Sequence, residues 1–306
     1  MKTMHNLEGR MVRLLQADGR ASFSDLAKQL GVTRSTVTAK FNELAASGEL
    51  RIVAAIHPRV LGLNAVAHLS IQLRGSAEAV LAKLAELDGA VFASLTTGHY
   101  GIITELRVPT VAELYEQVDA IRATDGVAAV DVLMYKEVVR SLFLNKEPLV
   151  QGLELDGVDL RIMGELQKDG RMGFEALGEC VGLSASATRT RVLRLLESRV
   201  MQIGPIINRT GSSGSMAFGF GITTVSGTEE AVEFFSNTPG VEFIASCFGR
   251  HDLVATVGVS SLDELNTILD QLRDLDSVAS ADSWLHLRIL QERYEKPLDN
   301  LVAARS

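Results

Sequence analysis

Asp18-Gly19-Arg20 returns as Asp169-Gly170-Arg171, and this offset of 151 runs through the chain. In the same register Arg10 matches Arg161, Phe23 matches Phe174, Leu26 matches Leu177, Gly31 matches Gly182, Ser35 matches Ser186 and Leu44 matches Leu195. The register persists later in each copy, where Gly89, Phe92, Gly98 and Glu113-Leu114 match Gly240, Phe243, Gly249 and Glu264-Leu265. Two tandem copies are therefore expected, because 306 residues exceed what one core of ordinary size organises. Each copy changes texture partway, which predicts modules over residues 1–60, 61–144, 153–210 and 211–306. Residues 145–152 are expected as the linker, where Lys146-Glu147-Pro148 interrupts any regular element.

The opening of each copy reads as helix. Leu7, Met11, Leu14 and Leu15 fall at three- and four-residue spacings. The stretch Ser24 to Gly31 opens on a residue suited to N-capping and closes on one suited to stopping a helix. Thr33 then caps a helix whose buried face is Val37, Phe41 and Leu44, and Arg51 to Ile56 follows as a short strand. From Ala65 the pattern predicts strand 65–73, helix 77–87, strands 90–97 and 102–108, helix 111–123 and strand 127–142, the βαββαβ order of a ferredoxin-like module. The second copy repeats it with strands near 215–225, 241–248, 253–259 and 278–290 and helices near 228–238 and 262–275. The expected class is α+β, with two all-α helix-turn-helix domains and two ferredoxin-like βαββαβ domains in tandem.

Gly31-Val32-Thr33 separates two helices by a three-residue turn, and the second begins in small hydroxyl residues, as in a DNA-reading helix-turn-helix. Ser35, Thr36 and Thr38 let a helix approach the major-groove floor, while Arg34 and Lys40 supply charge. The matching stretch carries Ser184, Ser186, Arg189, Thr190 and Arg191. Its arginines suit guanine or phosphate. The two helices carry different side chains, so unequal half-sites are expected. Net charge is −8, which as one number argues against nucleic acid. Resolved by region it is +4 over residues 1–60, 0 over 152–210 and −12 elsewhere, so positive charge gathers where the hairpins are.

These residues resemble the Lrp/AsnC, or feast/famine, family of transcription factors, and the likeness covers both halves. Leu155-Asp156-Gly157-Val158-Asp159 is similar to the family's opening, Gln167 to Arg171 to its first-helix exit, and Val181 to Ser186 to its turn. Gly48-Glu49-Leu50 resembles the run before its wing strand, although Arg199 replaces the glycine in the second copy. The resemblance implies a winged helix-turn-helix on double-stranded DNA. It also implies a RAM domain that mediates assembly and binds a small effector, usually an amino acid. Family members normally pair two chains, so this chain is expected to be an intrachain pseudo-dimer that associates further into a homo-oligomer. The family's effector loop, Gly-x-x-Asp, is present as Gly249-Arg250-His251-Asp252, whereas the first copy has Gly98-His99-Tyr100-Gly101 without the acid. Asp252 is the residue to receive an effector's ammonium, against the alternative that it only caps the loop.

Sirohaem decarboxylases resemble the same family and give an enzymatic alternative. Their Thr-His-Asn-Tyr-Glu-Arg and Asn-Leu-Trp-Phe runs are replaced here by Ala93 to Thr97 and Ile102 to Leu106, and by Ala245 to Phe248 and Leu253 to Thr256. A third reading is an effector-binding partner protein with vestigial DNA readers. The six histidines lack metal-ligand spacing, and no P-loop or nucleophile elbow occurs, so no catalytic residue, metal or cofactor is expected and the chain reads as a non-enzyme. Gly211-Ser212-Ser213-Gly214-Ser215 reads as a flexible connection. Two cysteines and no long apolar run predict a cytoplasmic protein with no membrane partner.

Overall fold

The computed structural model describes residues 2–141, 148–149, 154–207, 216–294 and 298. Most of the expected linker, the Gly211 to Ser215 connection and the side chains of Met4, His5 and Asn6 lie outside the described residues. The chain falls into two compact units, each built from both copies. The first takes Met1–His57, Glu147–Ser213 and Glu295–Ser306, and the second takes Pro58–Lys146 and Gly214–Tyr294.

In the first unit each copy contributes three helices and a strand: α1 (Lys2–Ala17), α2 (Phe23–Leu30), α3 (Arg34–Ala46) and β1 (Leu50–Ile56), then α6 (Gly157–Lys168), α7 (Phe174–Val181), α8 (Ala185–Glu197) and β6 (Met201–Ile207). Between them in the chain lie β2 (Ala65–Leu73), α4 (Glu78–Glu86), β3 (Ala90–Thr96), β4 (Ile102–Val108), α5 (Val111–Arg122) and β5 (Val127–Arg140), which belong to the second unit. Ser22, not Ser24, caps α2, its side chain accepting from the Asp25 N–H. Gly31 and Gly182 close α2 and α7 in the left-handed conformation that glycine adopts without a Cβ penalty. Thr33 and Ser184 cap the next helices. Met11, Leu15, Leu26, Val37 and Leu44 are buried in one copy, and Ile162, Leu166, Leu177, Val192 and Leu195 in the other.

The strand after each reading helix does not fold back as a wing within its own copy. β1 pairs antiparallel with β6, Leu50 opposite Ile207 and Ile56 opposite Met201, forming a two-stranded sheet. Val53 faces Gly204, its own counterpart in the repeat, so a local twofold axis passes through that pair. The physical reason for the exchange is mutual burial: Ile52, Val53, Ala54, Met201 and Ile203 are all buried in this arrangement.

In the second unit the first copy supplies β2 (Ala65–Leu73), α4 (Glu78–Glu86), β3 (Ala90–Thr96), β4 (Ile102–Val108), α5 (Val111–Arg122) and β5 (Val127–Arg140). The second supplies β7 (Met216–Thr224), α9 (Glu229–Asn237), β8 (Val241–Phe248), β9 (Leu253–Val259), α10 (Leu262–Arg273) and β10 (Val278–Glu292). Each sheet has the expected split order. The two join at both edges, β5 to β8 and β10 to β3, closing an eight-stranded barrel. One face of each sheet packs under its helices, with Ala67, Leu69, Ile71, Leu106 and Val118 in one core and Phe220, Ile222, Phe235, Leu253 and Val257 in the other. Alternation turns the opposite residues into the barrel. There the copies differ: His68 and Ser70 correspond to Gly219 and Gly221. A Cβ on Gly219 would strike the Trp284 indole and one on Gly221 the His251 ring, so small residues of the second copy make room for its own large ones.

Candidate functional site

The Asp-Gly-Arg repeat forms a reciprocal clasp across the local twofold. The Arg20 Nη1 and Nη2 atoms donate to the carbonyl oxygens of Gly170 and Met172 at 2.7 and 2.8 Å. Arg171 returns the same fork to Gly19 and Ala21, both at 2.8 Å. Asp18 and Asp169 set the turn, each accepting from the arginine's own N–H. Glycine is required between them because a Cβ on Gly19 would lie 2.5 Å from the Ile203 carbonyl, and one on Gly170 would press on Ile52 and Val53. The guanidinium groups also cover aromatic rings, Arg20 on Phe174 at 4.6 Å and Arg171 on Phe23 at 4.9 Å. Burial, and then the charge of Arg171, hold Arg20 below its ordinary pKa, yet a guanidinium remains charged throughout the working range.

On this clasped pair the reading helices carry their expected residues in two groups. Arg34, Ser35 and Thr36 are exposed on the first turn of α3, and Ser184, Ser186, Arg189 and Thr190 on α8. Among the described residues neither Arg34 nor Arg189 has an ion-pair partner, so both guanidinium groups are open to solvent. The Thr38 and Thr190 hydroxyls donate to the Arg34 and Ser186 carbonyls, leaving their lone pairs outward. Thr33 Oγ1 lies 2.8 Å from the hydroxyls of Ser35 and Thr36.

Lys40 and Arg191, expected as phosphate contacts, are placed differently. These matching positions turn back onto the first helix of their own copy. Lys40 lies 3.2 Å from Glu8 and 3.3 Å from Glu43. Arg191 lies 2.7 Å from Asp156 and 2.9 Å from Asp159, and Arg194 also pairs with Asp159, whose side chain is 1% exposed. Burial opposes the charged form of Lys40, but hydrogen bonds to Glu8 and Glu43 outweigh it and raise the ammonium above its usual pKa. Asp156 is likewise held below the carboxylate range, against some burial, by the Asp159 N–H and by Arg191. Glu8 corresponds to Asp159, so the lock of reading helix to first helix was visible in the repeat register. Asn42 and Leu193, exposed at matching places one turn beyond Thr38 and Arg189, went unremarked in the sequence. Their eight-residue spacing from Arg34 and Ala185 was the available signal.

In the barrel unit the loops 98–101 and 249–252 come together. The Arg250 guanidinium lies 4.4 Å over the Tyr100 ring, with Nε 3.0 Å from Asp131 and Nη2 3.1 Å from the Ser70 hydroxyl. Asp282, the repeat partner of Asp131, lies 3.8 Å from Arg250 and 3.5 Å from the His251 imidazole. His99 is exposed and meets Tyr100 edge-on. Gly98 and Gly249 take positive φ at the tight turns, and a Cβ on Gly101 would strike Leu73. Asp252 faces elsewhere: one carboxylate oxygen accepts from the Thr224 N–H at 2.8 Å and from its hydroxyl at 3.3 Å. These two bonds fit the capping alternative for that oxygen. His68 is buried beside Ser70, and burial, followed by the charge of Arg250, pushes its pKa down to about 3.

Twin helix-turn-helices joined about a twofold, carried with paired ferredoxin-like sheets, define a class of protein that addresses DNA through a dimeric reader. An AsnC-type helix-turn-helix domain matches residues 6–44 and again 155–196, and an Lrp/AsnC ligand binding domain matches residues 220–295. An HTH-type transcriptional regulator of Pyrococcus furiosus is 33% identical over 115 residues, covering 37% of this chain and 78% of its own. The regulator FL11 of the same organism is 25% identical over 44% of this chain and 91% of its own length. The regulatory protein AsnC of Haemophilus influenzae is 29% identical over 40% and 90%. The chain belongs to the Lrp/AsnC family. The crystal structure of the sirohaem decarboxylase NirDL covers 96% of both chains with a TM-score of 0.60 and 14% identity, a likeness of fold alone. No helix among the described residues is long and apolar enough to cross a membrane.

Proposed function

We propose that the chain is a sequence-specific DNA-binding transcriptional regulator whose barrel unit senses a small effector. One observation carries this reading: two reading helices, each with an exposed arginine, are held about one local twofold. In this reading residues 1–60 and 153–210 are the reader modules, and 61–144 and 211–306 the RAM modules. Arg34, Ser35, Thr36, Thr38, Ser186, Arg189 and Thr190 meet the duplex, whereas Lys40 and Arg191 hold the helices in place. Mobility-shift titration of fragments from the gene's own upstream region tests it. Affinity should fall with salt by about one unit of log–log slope per phosphate neutralised. Absence of any shift at low salt refutes it.

The effector site in this reading is the cross-copy cluster around Arg250, with Tyr100 and the glycines Gly98, Gly101 and Gly249 shaping the loops. Support comes from the convergence of both loops on one guanidinium. A thermal-shift panel of amino acids tests it, since a ligand at a hundred times its dissociation constant stabilises by about 2.7 kcal/mol. Arg250→Ala should abolish that response while Asp252→Asn retains it. The enzymatic alternative draws on the decarboxylase's fold; saturable binding and turnover of an iron tetrapyrrole, followed by absorbance, would establish it in place of the regulator.

A further inference from the structure

Corresponding positions on the two reading faces differ almost throughout. On the outward face of the first turns of α3 stand Arg34, Ser35, Thr36, Thr38, Ala39 and Asn42. Along α8 the matching ones are Ala185, Ser186, Ala187, Arg189, Thr190 and Leu193. Only the serine is shared. The residues that hold each helix in place, by contrast, keep their character: Thr33 and Ser184 cap, Leu44 and Leu195 are buried, and Lys40 and Arg191 grip an acid on the first helix. Divergence is thus concentrated in the side chains that point outward, although Val37 and Thr188 also differ at one buried pair of positions.

We infer that the DNA selected by this chain is a non-palindromic duplex made of two unlike half-sites, one read by α3 and the other by α8. The inference rests on the DNA-binding reading above. A symmetric dimer presents the same helix twice and so selects a site that mirrors its own symmetry. Here one α3 and one α8 are always presented together, because β1 pairs with β6 and Arg20 and Arg171 clasp each other's turns within a single unit. The free guanidinium moves four residues, from Arg34 to Arg189, or about 6 Å along the helix axis. That displacement corresponds to nearly two base steps, so the guanine suited to a bidentate arginine falls at a different place in each half-site. Asn42 offers the bidentate amide that matches adenine, where Leu193, 36% exposed, offers an apolar contact for a thymine methyl group.

The test is selection by the intact chain from random duplexes at fixed salt, followed by anisotropy titration of the recovered site and of the two palindromes built from its halves. The expected site has two unlike halves about one helical turn or a multiple apart, bound at least about tenfold tighter than either palindrome. A second measurement uses the variant Ala185→Arg, Ala187→Thr, Arg189→Thr, Thr190→Ala, Leu193→Asn, which gives α8 the face of α3. With its circular dichroism and Tm unchanged, it should prefer the palindrome of the α3 half-site. A palindromic consensus from the natural chain, or a substituted chain that keeps the composite preference, overturns the inference and leaves DNA binding standing. Recovery of no duplex above background overturns the DNA-binding reading itself.

Discussion

At the scale of single residues, Arg20 and Arg171 do what no lysine could, because each donates two parallel hydrogen bonds to carbonyl groups on the opposite copy. Arg171→Lys is expected to lower the stability of the reader unit by about 1–3 kcal/mol, measured by urea denaturation, since one half-buried carbonyl loses its donor. The Asp-Gly-Arg repeat stood out in the sequence, but its meaning did not, because the partner carbonyls lie some 150 residues away. His68 carries a second prediction. Its folded imidazole is held down to about 3, against an ordinary value of 6.5, so between those values the unfolded chain binds a proton that the folded chain refuses. Stability is therefore complete above pH 6.5 and declines as pH falls toward 3, by up to about 1.4 kcal/mol per pH unit for this one group. His68→Gln should flatten the slope between about pH 5.5 and 4 by close to one proton, and an unchanged slope would assign the titration elsewhere, with His251, also depressed by burial and then by Arg250, as the next group to replace.

At the scale of elements, the helix-turn-helix and βαββαβ order was legible because caps, glycine stops and apolar spacing are local signals, although the start of α2 was misplaced, Ser22 capping it in place of Ser24. The pairing of β1 with β6 was not, since nothing in a seven-residue apolar strand says whether its partner is its neighbour or its repeat. Arg199 shows how strictly the turn before that strand is imposed. It adopts φ of 58° where Gly48 adopts 73°, a left-handed conformation that costs a side-chain-bearing residue about 1 kcal/mol. Arg199→Gly should raise the stability of the reader unit by about that amount, visible as a higher urea midpoint. In the proposed reading the grip of Asp159 on Arg191 and Arg194 positions α8. Asp159→Asn should weaken binding to every duplex alike, with the preferred sequence unchanged in selection.

At the scale of the molecule, the repeat places both halves of a dimeric reader in one chain, and the expected stoichiometry is one chain per pair of half-sites. Titration of a minimal duplex at concentrations well above its Kd should break at one equivalent, and a break at two would mean that the reading helices of separate chains cooperate instead. The −8 net charge hid this role, because the acidic remainder lies in the segments that form the barrel. The barrel also closes without a free strand edge, β10 returning to β3 and β5 passing to β8. Open edges are the places where one protein's sheet recruits another's, in productive strand addition and in aggregation alike. This sheet offers no such handle, so chains that gather through the barrel unit do so by side chains, exposed Phe248 and Leu287 on its strands among them, contacts that a bound metabolite can loosen or tighten without unzipping a backbone ladder.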